Sequence, residues 1–434
     1  MCVNISDQAS AASTNHNCES NNTSSVTDSN EQSSFSDAHC HIFPYVTAPG
    51  AQSIMVPPPE AISPSTTLEA IRDMVHRTQT AAAVMSTDLG DMATVCALQR
   101  LMQESVAAAS DPSQAQIVPA FGVHPWYSYK YYIPTSEQGE AEAPALTGAA
   151  KAAHYAAVLS PAPDAAFVAA LPDPVSFYTV LRQLEAHLVE FPEAIVGECG
   201  LDKIFRIQNP FYSATTAAVT TTDATAGEKT PAGRQPQQPK LSRYVVKMAH
   251  QTALLQLQLE VAARHTRPVS LHCVKAPTAL LDLVRAMAVP PPALCLHSYT
   301  GSVEYLVNNW YAAERASVKL QQKQQREREN KGKPVNDYET VAPASAPTFP
   351  RIYVSLSTIF NNDARHATTF KDLVQAIPSD RLLLESDHYI GEHGWDQMNR
   401  AVATSVAVIL GGTVPAVLDQ TGENFRQFCR VPRL

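Results

Sequence analysis

The sequence predicts an α/β fold: a (β/α)8 TIM-type barrel with three low-complexity insertions and a disordered N-terminal tail. One observation is the alternation of eight short runs rich in Val, Ile and Leu with helical patterns, which implies a parallel sheet. Eight such units close into a barrel. The other is the polar residue that ends six of these runs, since sites in such barrels lie at the C-terminal strand ends.

Residues 1–34 are rich in Ser, Asn, Thr and Gln with almost no large apolar residues, and cannot offset the entropy of ordering. The first strand ends at His41, followed by a Pro-rich loop at 57–64 and a helix from Leu68 to Thr78. Ala81–Thr87 is a buried strand, and Asp91–Val106 a helix with Val95, Leu98, Leu101 and Met102 on one stripe. The third strand starts at Ile117 and exits through His124-Pro125-Trp126. Residues 127–175, Ala- and Pro-rich, read as an insertion with some helix. A helix on Val180, Leu181, Leu184 and Leu188 leads to strand Ala194–Gly200. A second, flexible insertion spans 207–240. A long helix is expected from about Leu241 to Arg264, then strand Pro268–Cys273, helix Ala279–Val289 and strand Ala293–Ser298. A helix starts at Val303 and extends into a third insertion at 319–348, first charged and then Pro- and Ala-rich. Strand Ile352–Leu356, helix Thr368–Ile377, strand Arg381–Asp387 and two helices complete the chain, so the barrel covers 35–430.

The bulk numbers narrow the function. With 434 residues and 45% hydrophobic content a large core can be buried. A net charge of −9 argues against coating nucleic acid by bulk electrostatics. It leaves room for a nuclease whose bound cations supply local positive charge. No apolar run is long enough to span a membrane. There is no Lys or Arg before Arg72, against a secretory signal or an Arg-rich presequence. Eight Cys without a Cys-x-x-Cys fit reduced thiols in an intracellular protein, cytoplasmic or nuclear.

The chemistry sits in the strand ends. His39 and His41 are two apart on a strand, project together, and can close on one divalent cation. His124, Glu198, His272, His297 and Asp387 end other strands and complete a rim of metal-ligand types. Such crowded ionisable groups are unfavourable unless something pairs them, and divalent cations would. Imidazole and carboxylate without thiolate suit Mg²⁺, Mn²⁺ or Zn²⁺. Six ligands exceed one tetrahedral site and match two metal ions sharing a carboxylate.

Asp37-Ala38-His39-Cys40-His41, Gly122-Val123-His124-Pro125-Trp126, Gly197-Glu198-Cys199-Gly200-Leu201-Asp202, His272, His297-Ser298-Tyr299-Thr300-Gly301-Ser302 and Leu384-Glu385-Ser386-Asp387 occur in the order of one family. With Gln258-Leu259-Glu260-Val261-Ala262 and Asn424-Phe425, the chain resembles the TatD-related deoxyribonucleases over roughly 35–430. The resemblance implies a metal-dependent hydrolase that cuts DNA phosphodiester bonds with two metals, releasing nucleotides from DNA ends. It implies that His39, His41 and Asp387 hold one metal, that His272 and His297 hold the other, and that Glu198 bridges them. His124 would sit near the scissile phosphate, and Asp387 would act as general base. Asp202 and Glu385 read either as partners that orient ligand imidazoles or as ordinary helix-start or core-edge carboxylates.

The chain departs from the family at Phe43, where Asp is usual, at His388 and Tyr389, where a small residue and Pro are usual, and at Val274, where Arg is frequent. An inward Arg is a natural phosphate fork and Val is not. Strand alternation turns the neighbouring Lys275 away unless the strand has ended. Two other readings remain open: a hydrolase of a small amide or phosphoester on the same site, and a non-catalytic protein whose insertions bind a partner.

Overall fold

The computed structural model describes residues 35–42, 45–46, 54–55, 64–78, 80–108, 116–134, 143–211, 241–330, 349–357, 367–391 and 394–429. The predicted tail at 1–34, most of the loop at 57–64 and the position of Phe43 lie outside them, as do 212–240 and 331–348.

Eight parallel strands follow chain order around one sheet. They are β1 Ser36–His41, β2 Ala81–Met85, β3 Gln116–Phe121, β4 Ile195–Asp202, β5 Val269–Val274, β6 Ala293–Leu296, β7 Arg351–Leu356 and β8 Leu382–Leu384. The segment after β8 closes the ring on β1. Asp387 N–H donates to His39 O at 2.9 Å, His41 N–H to His388 O at 2.7 Å and Ile390 N–H to His41 O at 2.9 Å. Residues 387–390, which include His388 and Tyr389, thus join the barrel's first and last strands.

The strands form because β-branched and aliphatic residues fit a sheet buried on both faces. Outside lies the main core. Helix Phe177–Glu190 turns Phe177, Val180, Leu181, Leu184 and Leu188 into it, the i, i+3, i+4 spacing of one helical face. Inside, Ala38, Ala83, Met85, Val118, Ala120, Ile195, Cys295 and Leu383 fill the barrel. Phe425 and Phe428 of the last helix, Val414–Cys429, join this inner cluster. Asn424 on the same helix donates to Ser379 O and Leu382 O, each at 2.8 Å, and so ties the helix to β8.

Two expectations change and one gains detail. Residues 241–264 are not one helix. Leu241–Val246 is a strand, and helix Met248–Arg264 starts after Lys247. The run Tyr244-Val245-Val246 favours the sheet, and pairing with Arg206–Gln208 and Leu159–Ser160 satisfies its backbone. The described part of 127–175 contains helix, as expected, and it is packed. Its helices Gly148–Val158 and Ala165–Ala170 pack with this small sheet around Tyr129, Tyr155, Leu159, Phe167, Ile207 and Tyr244. Helix Pro277–Ala286 ends before Val289, because Met287 is already extended ahead of the prolines.

Candidate metal centre

Two bulges set up the centre. Between Asp37 and Cys40 the register of β1 against β2 shifts, with Ala38 and His39 facing the single residue Ala83. Ala38 then lines the barrel interior and Cys40 packs in the outer core, while His39 and His41 reach the site. β4 shifts likewise against β5 between Val196 and Cys199, with Gly197 at φ 157°. Such an extra residue re-aims its neighbour, here Glu198. Gly200, at φ 154°, has no room for a Cβ against the backbone of His272. β4 and β5 therefore approach closely where both carry a site residue.

The seven predicted site residues all come together. Glu198 is at the centre and 2% exposed. Its Oε1 lies 2.9 Å from His272 Nδ1, 2.8 Å from His297 Nε2 and 3.1 Å from His124 Nε2. Its Oε2 lies 3.3 Å from His39 Nε2 and 3.5 Å from His41 Nε2. Asp387 Oδ1 stands 3.2 Å from His41 Nε2 and 3.9 Å from His39 Nε2. The rings of His39 and His297 stack with centroids 3.9 Å apart. His124, expected beside the substrate, is as near Glu198 as the expected ligands are.

These groups set one another's charge. Burial would raise the Glu198 carboxyl, but His124, His297 and His39 outweigh it and hold it well below the usual range. Burial also opposes ionisation of Asp387, yet His41, His297 and His39 hold it at about 2. Burial pushes His124 down to about 4. His297 goes up despite burial, because Glu198 and Glu385 face it.

The donors fit divalent cations. His39 Nε2 is buried and makes no hydrogen bond among the described residues. His272 Nδ1 and His297 Nε2 face each other at 3.2 Å, which needs a proton or a cation between them. Overlapping triads, His39–His41–Asp387, His39–Glu198–His297 and His124–Glu198–His272, share Glu198 or His39. The cluster has the capacity for one or two divalent ions. A separate trio, Cys96, His187 and Glu190, lies on the outer helices, where Glu190 already pairs with Arg100 at 2.7 Å.

A second tier holds the imidazoles. Asp202 Oδ2 accepts from Trp126 Nε1 at 2.8 Å and lies 3.4 Å from His272 Nε2. Glu385 Oε1 accepts the Ser298 N–H at 2.7 Å and lies 3.6 Å from His297 Nδ1. Gln258 Oε1 accepts the Val123 N–H at 2.7 Å, fixing the strand end that carries His124. Asp37 accepts from Ser386 Oγ at 2.6 Å and Trp395 Nε1 at 2.8 Å, so β1 is pinned to the last turn of the barrel. Sequence reading missed Ser270, whose Oγ is 2.9 Å from His39 Nδ1. Its position two residues before His272, on the same strand face, was the available signal.

A family model described as TatD related DNase matches residues 36–331. Cut9-interacting protein scn1 of Schizosaccharomyces pombe is 28% identical over 71% of this chain and 81% of its own length. An uncharacterized deoxyribonuclease of Saccharomyces cerevisiae is 26% identical over 74% of this chain and 85% of its own. The crystal structure of a TatD homolog from Escherichia coli is similar at TM-score 0.46 and 17% identity, covering 92% of this chain and 98% of that one. At that score the likeness adds no weight.

Proposed function

The chain belongs to the TatD-related DNase family, and from that premise we propose that it cleaves the phosphodiester bonds of DNA at strand ends with two bound divalent metals. Family and clustered ligands together make it a metal-dependent hydrolase of ester-type substrates. The observation that carries the proposal is Glu198, one carboxylate with three imidazoles on one oxygen and two on the other. That is the arrangement a bridging ligand needs.

In this reading His39, His41 and Asp387 would hold one ion, His272 and His297 would hold the other, and Glu198 would serve both. Mg²⁺, Mn²⁺ and Zn²⁺ all suit these donors. Such ions supply Lewis acidity, lowering the pKa of water and neutralising charge on phosphoryl oxygens. The chain's own groups do the rest. Asp202 accepts the Nε2 proton of His272 and so leaves Nδ1 facing the centre. Asp387, ionised at neutral pH, is placed to take a proton from water. His124, kept neutral by burial, orients the scissile phosphate. The depth of the cluster supports attack at strand ends, since a free end enters a recess more readily than the middle of a duplex.

No single described helix is long and apolar enough to cross a membrane. The six described cysteines are free thiols, which supports an intracellular site of action, cytoplasmic or nuclear. A second reading, hydrolysis of a small amide or phosphoester, is favoured by Val274, which leaves no inward guanidinium beside His272. A protein partner, as the name of the fission-yeast relative indicates for that protein, would be an addition to catalysis, since all six ligand residues are present.

The test is a nuclease assay on end-labelled single- and double-stranded DNA with Mg²⁺, Mn²⁺ or Zn²⁺, beside Glu198→Ala. Metal-dependent shortening absent in the variant is expected. Two bound metals with no DNA cleavage, but turnover of a small ester, would overturn the DNA reading.

A further inference from the structure

We propose that Lys203 and Lys275 form the phosphate-binding rim of this site, taking the work of the arginine that Val274 replaces. The inference rests on the DNA reading and names the groups that hold the strand beside the metal centre.

The backbone sets these lysines side by side. Val274 pairs with Asp202 in the β4–β5 ladder, and the Lys203 N–H donates to Val274 O at 3.0 Å. Lys203 and Lys275 are therefore the first residues past the ends of β4 and β5. Three residues before Lys275, on β5, is His272, whose imidazole lies 3.4 Å from Asp202. An extended lysine side chain reaches about 6 Å, enough to bring an ammonium to a phosphate next to the scissile one.

Strand alternation does not turn Lys275 away, because β5 ends at Val274 and Lys275 itself is left-handed at φ 54°. That conformation costs a residue with a Cβ about 1 kcal/mol or more, and Gly would adopt it freely. Lys203 and Lys275 are both exposed. Neither makes a side-chain hydrogen bond or ion pair among the described residues. A net charge of −9 repels a polyanion, so a cation at the mouth has work to do. Ammonium groups serve as point charges for phosphate, without the bidentate geometry of arginine.

Binding of labelled single-stranded DNA and its hydrolysis would be measured for the wild type, Lys203→Ala, Lys275→Gly and the double variant. Lys371→Ala, an exposed lysine on helix Ala367–Ala376, is the charge control. Each rim variant should raise Kd and KM for DNA about tenfold and lower the salt slope by about 0.7, the share of one phosphate contact on a single strand. Turnover of bis(p-nitrophenyl) phosphate should stay within twofold, and Lys275→Gly should melt no lower than wild type, since it relieves the left-handed strain. If wild type binds and cuts DNA while the double variant matches it in Kd and salt slope, the rim assignment is wrong and the nuclease reading stands. If the small phosphodiester loses turnover in parallel with DNA, the lysines act on the fold and not on the strand. If wild type neither binds nor cuts DNA, both proposals fall together.

Discussion

Replacing Asp202 by Asn separates holding an imidazole from ligating a metal. Asp202 Oδ1 accepts the N–H groups of Ile204 and Phe205, each at 2.9 Å, and an Asn oxygen keeps both. The other carboxylate oxygen faces two donors, Trp126 Nε1 and His272 Nε2. Burial opposes ionisation of Asp202, but His272 and then Trp126 hold its carboxyl at about 2. An Asn amide presents N–H to both. His272 then gains by leaving Nε2 bare and moving its proton to Nδ1, the atom that faces Glu198 at 2.9 Å. A ligand imidazole stripped of its outer carboxylate loses about 10- to 100-fold in metal affinity, or about 1.4–2.7 kcal/mol. Isothermal titration of the metal-free protein should show one of two binding steps weakened by that factor, the other within about twofold. A thermal midpoint close to wild type in the absence of metal would show that the loop is intact. If both steps bind as in wild type, Asp202 does not set the His272 tautomer, and the assignment of Nδ1 to the centre is refuted.

Other outcomes follow from the same geometry. Asn424→Ala removes the donors to the buried Leu382 carbonyl and the partly exposed Ser379 carbonyl and should cost about 1–3 kcal/mol. Asn424→Asp should be worse at neutral pH and recover toward acid, where a protonated carboxyl donates again; thermal midpoints at two pH values decide. Burial holds His250 at about 4, so the native state stays neutral while unfolded chains take up a proton below about 6.5. Its contribution is present above that pH and is lost as pH falls toward 4, by about 2 kcal/mol between pH 7 and 4.5. His250→Gln should flatten the acid limb of the stability profile by that amount. Chelation should lower the thermal midpoint as well as activity, since ions at 100-fold over Kd stabilise by about 2.7 kcal/mol.

The sequence by itself determined the barrel and the identity of its rim. Eight aliphatic runs, six of them ending in a metal-ligand type from His39 to Asp387, are a local pattern, and local patterns survive in one dimension. It was least informative at 127–175 and 241–247. There Ala, Pro and an ambiguous Leu/Tyr/Val run form a packed layer only because each supplies the other's missing partner. The tertiary structure alone decided how the rim is aimed. Bulges at Asp37–Cys40 and at Gly197–Glu198 break the strict alternation that sequence reading assumes, and turn one carboxylate toward five imidazoles. It also decided the supports. Ser270 beside His39, Asp202 beside His272 and Asn424 beneath β8 act across gaps of 42 to 231 residues that no local pattern encodes. The end of β5 at Val274 and the left-handed turn at Lys275 belong to the same class, because a strand stops where its neighbours stop pairing with it.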